Sequence, residues 1–205
     1  MSTYKLTYFD FDGGRGEPVR IAMHAAGIEF EDVRWSFPEF GQRRGSLRFG
    51  ALPILEIDGV VVTQSNAHCR YIGKKAGLYP KDDLQALWCD EAMGATEDIS
   101  HQIGQTFGLE GDALRTAREA LVSGRLTTFL RGMSEILERG GDKYIADKRL
   151  TVGDLKVYFT LRWIASGSLD HVPADLVEKV APNLSRYMAR IAKEPIVEAY
   201  YASRA

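Results

Sequence analysis

The sequence predicts an α/β domain over residues 1–79 followed by an all-α domain over residues 84–205. Three observations carry this. Short β-rich runs alternate with helical stretches only before about residue 80; a Pro- and charge-containing connector, Leu78 to Asp83, comes next; beyond it, apolar residues recur at helical spacing. The chain has 205 residues, 45% of them apolar, which suffices for a sizeable core in one large or two small domains. A formal charge of -2 gives no electrostatic reason to expect nucleic acid or an anionic membrane as partner.

The elements follow in order. Lys5 to Phe9 alternates polar and apolar side chains, with Leu6 and Tyr8 on one face, and reads as a strand. The glycine-rich turn Asp12-Gly13-Gly14-Arg15-Gly16 leads to Pro18, which suits a first helical turn. Val19 to Ala26 has helical spacing, with Gly27 as its stop, and Glu29 to Trp35 is a second strand, reached by a right-handed crossover. The basic stretch Pro38 to Arg48 predicts a short irregular helix. Leu52 to Ile57 and Val60 to Thr63 are strands joined by Asp58-Gly59, a strong hairpin signal. Ser65 is expected to cap a helix that stops at Gly77. The order β-α-β-α-β-β-α is that of a thioredoxin-like domain. After the connector, helices are expected over 84–107, 112–138, 151–166 and 182–193. Thr151 to Asp154 opens the third with a capping box, and Pro182 and Pro195 mark helix starts, so this part reads as a helical bundle.

Several residues in this frame carry chemistry. Pro53 removes a backbone donor at a strand start and leaves Leu52 able to pair with an extended ligand; an ordinary edge-strand proline has the same sequence. Gln64 and Ser65 stand where a helix dipole favours a carboxylate, though a serine there often only caps. Tyr8 ends the first strand, where ligands gather in α/β sheets, and a phenol donating to a sulfur anion lowers a thiol pKa. A packed strand tyrosine is the plainer reading. Arg15 adds a nearby cation, or is simply solvated. His24, His68, His101 and His171 form no ligand pair, and Asp10 and Asp12 lack the rest of a calcium loop, so no metal is expected. Cys69 and Cys89 form no CxxC and read as reduced, buried thiols. The opening MSTYKLTYF has no signal-peptide pattern, and no run approaches the roughly 20 apolar residues of a membrane helix. A soluble, cytoplasmic protein is expected.

Across nearly its whole length the chain resembles the cytosolic glutathione transferases. The resemblance rests on YKLTYF (4–9), GRGEPVR (14–20), FGALPILEIDG (49–59), TQSNAHCRYIG (63–73) and LTVGDLKVYF (150–159), in family order and spacing. The tyrosine at the end of the first strand is similar to that of the sigma-like tyrosine classes. The resemblance implies conjugation of reduced glutathione, as co-substrate, to a small hydrophobic electrophile by a homodimeric detoxifying enzyme, without a metal. It implies that Tyr8 contacts the sulfur and Arg15 supports the thiolate. Leu52, before a cis Pro53, would pair with the cysteinyl backbone, and Gln64 and Ser65 would hold the γ-glutamyl end. Asp98 would reach the partner subunit's glutathione, unless it or Glu97 is a solvated helix carboxylate. Asp154 belongs to the family's folding motif. The electrophile would lie between the domains, beside Phe9 and the glycine turn.

Departures from the family pattern bear on specificity. Ala51 stands where a glycyl-binding lysine is usual, and the preceding segment is about three residues longer, offering Arg43 or Arg44 as replacement, with Arg48 nearby. Phe37 takes the place of a customary tryptophan, with Trp35 close by, and the glycine turn is one residue longer. Gln105 falls near a tryptophan of prostaglandin-isomerising relatives. The resemblance leaves two alternatives open: a glutathione-dependent isomerase or peroxidase on the same site, or a non-catalytic glutathione-binding scaffold.

Overall fold

The computed structural model describes residues 2–204. Its contacts divide the chain into two compact units, Met1–Tyr79 with Pro195–Ala205, and Pro80–Glu194.

The first unit is built on a four-stranded mixed sheet in the order β2-β1-β3-β4, with β1 (Tyr4–Phe9), β2 (Glu31–Trp35), β3 (Ile54–Ile57) and β4 (Val60–Thr63). Strand β1 runs parallel to β2, pairing Tyr8 with Arg34, and antiparallel to β3, pairing Leu6 with Leu55. The parallel step requires a crossover, supplied by α1 (Glu17–Ala25). The β3–β4 step needs only a two-residue turn. Asp58 and Gly59 make it at φ 50° and 81°, the left-handed conformation that the hairpin signal calls for. Helix α1 buries Val19, Ile21, Ala22 and Met23 and packs against α3 (Ser65–Lys75). Between β2 and β3 lie α2 (Phe37–Arg43) and a 3-10 turn over Arg44–Ser46, neither of which buries a residue.

Two expectations need correction here. Ser65 does not cap α3: Gln64 occupies the cap position at φ 76°, no side chain caps the helix, and Ser65 is its first residue. The all-helical part was expected to run to residue 205, whereas α10 (Pro195–Ala202) packs on α1 and groups with the first unit. The burial of Val197 and Tyr200 accounts for that docking.

The second unit contains α4 (Asp83–Gly104), α5 (Gly111–Leu121), α6 (Thr127–Arg139), α7 (Val152–Ile164), α8 (Leu176–Val180) and α9 (Pro182–Ile191). The stretch expected as one helix over 112–138 is two, joined by a π-turn at Val122–Leu126. Ser123 and Gly124 lie in it, and Ser123 Oγ bonds back to the Glu119 carbonyl at 3.0 Å, the kind of competition that disturbs a helical ladder. The short α8 has no strong sequence signal and was not expected. Helix α7 is the core element, buried from Val152 through Leu161. A Cβ at Gly153 would lie 2.9 Å from Cys89 Sγ, so the glycine lets α7 and α4 approach closely. Among the described residues no helix is long and apolar enough to cross a membrane.

Candidate functional site

The site is assembled at the C-terminal end of β1. Tyr8, on the same face as the fully buried Leu6, is 4% exposed. Its phenol oxygen accepts a 2.9 Å hydrogen bond from the backbone N–H of Arg15. The glycine turn makes that bond possible by folding directly over the ring. A Cβ on Gly14 would lie 2.5 Å from Tyr8 Oη, and one on Gly16 would lie 2.5 Å from the ring. Gly14 also sits at φ 60°. Glycine is therefore required for close approach at both positions, and for backbone conformation at Gly14. The extra residue in this turn does not carry Arg15 away from the tyrosine.

An aromatic shelf extends from the same strand end. The Tyr8 ring meets Phe9 and Phe11 edge-on, with centroids at 5.2 and 5.7 Å. Phe9 lies 4.8 Å from Phe37 and 5.1 Å from Phe40. Phe37 is 66% exposed, so this apolar surface faces solvent. A phenylalanine at 37 offers area but no ring N–H donor.

The basic segment is more ordered than its composition implies. Arg43 stacks on Trp35 with its guanidinium 5.0 Å from the ring centre. Arg44 donates from Nε to the Gly50 carbonyl at 3.1 Å. That bond brings Arg44 next to Ala51, while Arg43 is drawn towards β2. Arg48 is exposed. Further along, the Leu52–Pro53 bond is cis and both residues are buried. Gln64 is exposed at its unusual positive φ, whereas Ser65 is buried at the start of α3. A non-glycine residue in that conformation is uncommon and is tolerated where surrounding structure enforces it.

The first unit thus holds Tyr8, Arg15, Phe37, Arg43, Arg44, Leu52, Pro53, Gln64 and Ser65. Asp98 belongs to the second unit, exposed on α4, while its neighbour Glu97 forms an ion pair with the buried Lys156. Of the two acids, Asp98 is the one left facing solvent.

Sequence reasoning missed a charged cluster behind the glycine turn. Arg20 is fully buried, with Nη1 3.0 Å from Glu17 Oε2 and Nε 3.0 Å from Asp32 Oδ1. Its guanidinium carbon lies 5.8 Å from the centre of the Tyr8 ring. The spacing of Glu17 and Arg20, three apart on one helix, was a usable signal. Their complete burial was not, because charged helix residues are usually solvated. Among the described residues no group of three or more His, Cys, Asp or Glu could hold a metal ion.

The fold and site define a thioredoxin-like unit, with a phenol held at its first strand end, joined to a helical unit. Residues 4–74 match the model of the glutathione S-transferase N-terminal domain, and residues 97–204 that of the C-terminal domain. The chain is 30% identical to glutathione S-transferase 1 of Ascaris suum over 100% of this chain and 98% of the relative. Among solved structures, prostaglandin synthase D of Nilaparvata lugens is similar at TM-score 0.84 and 27% identity, covering 99% of this chain and 98% of that one. A glutathione S-transferase of Necator americanus, described as monomeric, is similar at TM-score 0.77 and 26% identity, covering 99% and 98%. The chain belongs to the glutathione S-transferase family.

Proposed function

We propose that this glutathione transferase conjugates reduced glutathione to small hydrophobic electrophiles through a thiolate stabilised by Tyr8. The single observation that carries the reading is the Arg15 N–H on the Tyr8 phenol oxygen, at 2.9 Å. A donor on that oxygen polarises the O–H and makes it a stronger donor in turn. Directed at the sulfur, it favours the anion, which is the nucleophile. Glutathione itself attacks the electrophile, and the protein positions the two reactants and lowers the thiol pKa. No covalent bond to the enzyme forms.

The remaining contacts of the reading fall on the other site residues of the first unit and on Asp98. Leu52 pairs with the cysteinyl backbone, and Gln64 and Ser65 meet the γ-glutamyl carboxylate at the positive end of α3. Arg44, fixed beside Ala51 by Gly50, takes the glycyl carboxylate in place of the usual lysine. Arg43 supports that end from its stack on Trp35. Phe37 gives the tripeptide an apolar wall. Asp98 serves the partner subunit's glutathione amine in a homodimer of sigma-like type. Cytoplasmic placement and a detoxifying role belong to the same reading, which the buried thiols Cys69 and Cys89 support. Sedimentation of the pure chain tests the dimer, and a monomer at micromolar concentration removes Asp98 from its role.

Replacing Tyr8 by Phe tests the central claim. The variant should raise the titration of bound glutathione by one to two units, about 10- to 100-fold in thiolate stability. Turnover of a chlorodinitro-aromatic should fall accordingly, with glutathione affinity nearly intact. An unchanged titration removes Tyr8 from the mechanism. The similarity to prostaglandin synthase D of Nilaparvata lugens favours, as a second reading, a glutathione-dependent isomerase on the same site. Gln105, which caps α4 and bonds to His101, supplies no aromatic wall for it. Substrate profiling separates the two.

A further inference from the structure

The turn over Tyr8 is nearly bare. Between Asp12 and Glu17 the chain reads Gly13-Gly14-Arg15-Gly16, with Gly13 at φ 126° and Gly14 at φ 60°. Glycine loses more conformational freedom on folding than any other residue, so such a turn does not hold itself in place. Both of its flanking residues are acidic, and the C-terminal segment grips both. Arg204 Nη1 lies 2.9 Å from Asp12 Oδ1 and 3.6 Å from Glu17 Oε1. Tyr201 donates its hydroxyl to the same Glu17 oxygen at 3.0 Å. The arginine is itself oriented: Nη1 donates to Tyr200 Oη at 3.0 Å, and the guanidinium lies 5.2 Å from that ring's centre.

The rest of the surroundings completes a fixed frame. Arg34 reaches Asp12 at 3.3 Å, Asp10 at 3.7 Å and Asp32 at 2.9 Å. Arg20 holds the other oxygen of Glu17 and donates to the Phe11 carbonyl at 3.3 Å. Burial alone would raise the Asp12 carboxyl, but the hydrogen bonds and charges of Arg204 and Arg34 outweigh it and keep it below the usual carboxylate range. Asp12 is therefore an anion for Arg204 throughout the working pH range.

We propose that Arg204 is a positioning residue for the sulfur site: bound to Asp12 before the glycine turn and drawn to Glu17 after it, it closes the turn and holds the Arg15 N–H on the Tyr8 phenol. The inference rests on the Tyr8 reading above. It adds that the last turn of the chain, remote in sequence, sets the geometry of the catalytic tyrosine. The ion pair is partly exposed and contributes little to folding by itself. Its effect is felt through a glycine loop whose ends Arg20 also ties from inside, between the Phe11 carbonyl and Glu17, with Arg204 adding the tie to the Asp12 side chain.

The test is the titration of enzyme-bound glutathione, read from thiolate absorbance, in wild type, Arg204→Gln, Arg204→Lys, Asp12→Asn and Tyr8→Phe. Arg204→Gln should raise the apparent thiol pKa by roughly half a unit, about threefold in thiolate stability, with kcat/KM falling in proportion on the acid side. KM for glutathione and the melting temperature should barely move. The two ion-pair contacts of Arg204 and its hydrogen bond to Tyr200 are all made through one nitrogen, so Arg204→Lys should restore most of the shift. Asp12→Asn should reproduce it, and the double variant should add nothing. A wild-type titration in Arg204→Gln alongside a shifted Tyr8→Phe overturns the positioning role and leaves the Tyr8 reading standing. A wild-type titration in Tyr8→Phe overturns both. Additive shifts in the double variant, or no rescue by lysine, also overturn the positioning role.

Discussion

The α/β unit and the helical unit each contain a capping box, and the two are nearly superimposable in their hydrogen bonds. In the helical unit Thr151 N and Oγ1 donate to Asp154 Oδ2 at 2.8 and 2.6 Å, and Asp154 N donates to Thr151 Oγ1 at 3.3 Å. In the α/β unit Ser36 N and Oγ donate to Glu39 Oε2 at 2.8 and 2.9 Å, and Glu39 N donates to Ser36 Oγ at 3.3 Å. Their electrostatics are opposite. Asp154 is completely buried, and burial drives its carboxyl up to about 6 despite the bonds from Thr151, Ile145 and Tyr187. Glu39 lies at the surface, half-buried, and its bonds from Ser36 hold its carboxyl below its ordinary value. The same local chemistry acts as a structural lock where water is excluded and as a light trim where it is not.

The largest effect should come from breaking the buried box. Besides Thr151, Asp154 Oδ1 accepts from Ile145 N at 2.8 Å and from Tyr187 Oη at 3.0 Å. Asp154→Ala leaves the buried Ile145 and Thr151 donors without an acceptor and Tyr187 with only the residue's main-chain carbonyl at 3.2 Å, each lost partner costing about 1–3 kcal/mol, for a total loss of roughly 3–5 kcal/mol. Urea unfolding should show the midpoint falling sharply. The pH dependence sharpens the point. Because burial lifts the folded carboxyl to about 6, above the ordinary 3.8 of an aspartate, its contribution is full below the lower value and lost as pH rises through the higher one. Asp154→Asn should flatten the stability profile between about pH 4 and 6. An unchanged profile would mean that burial does not dominate at this carboxyl. Glu39 has the opposite sign: its contribution is present above its ordinary pKa and fades as pH falls below it.

The two boxes also show what was legible in the sequence. Thr151 to Asp154 is legible because a long apolar periodicity follows it. Ser36-Phe37-Pro38-Glu39 has the same four-residue logic, with a proline in the first turn, but the short basic segment behind it carries no apolar period to mark it as a helix start. Elements with a strong period or turn chemistry, such as β1, the Asp58-Gly59 hairpin and α7, were readable, and so was the glycine turn beside Tyr8. Features that depend on distant partners were not. Nothing near Arg204 in sequence points to Asp12, and nothing near Gln64 signals its positive φ. The π-turn at Val122–Leu126 and the docking of α10 on α1 are likewise settled by packing rather than by local pattern.

The smallest effect should come from the exposed box, and it is informative because α2 carries site residues. Helix α2 has no buried residue to hold it, so its order rests on Ser36, on the packing of Phe37 (tilted) and Phe40 (edge-on) against Phe9, and on Arg43 against Trp35. Ser36→Ala removes the side-chain bonds to Glu39 and leaves the ring contacts in place. The global melting temperature should fall by only about 1–2 °C, as expected for the loss of one solvent-exposed cap. Hydrogen exchange in α2 should nevertheless rise by more than that global change accounts for, because local opening is governed by the few contacts of the segment itself. KM for glutathione should rise with it, since Phe37 lies in that helix and Arg44 follows directly on its last residue, while kcat stays near wild type. A rise in exchange without any change in KM would separate α2 from glutathione binding and return the glycyl end to residues outside this segment.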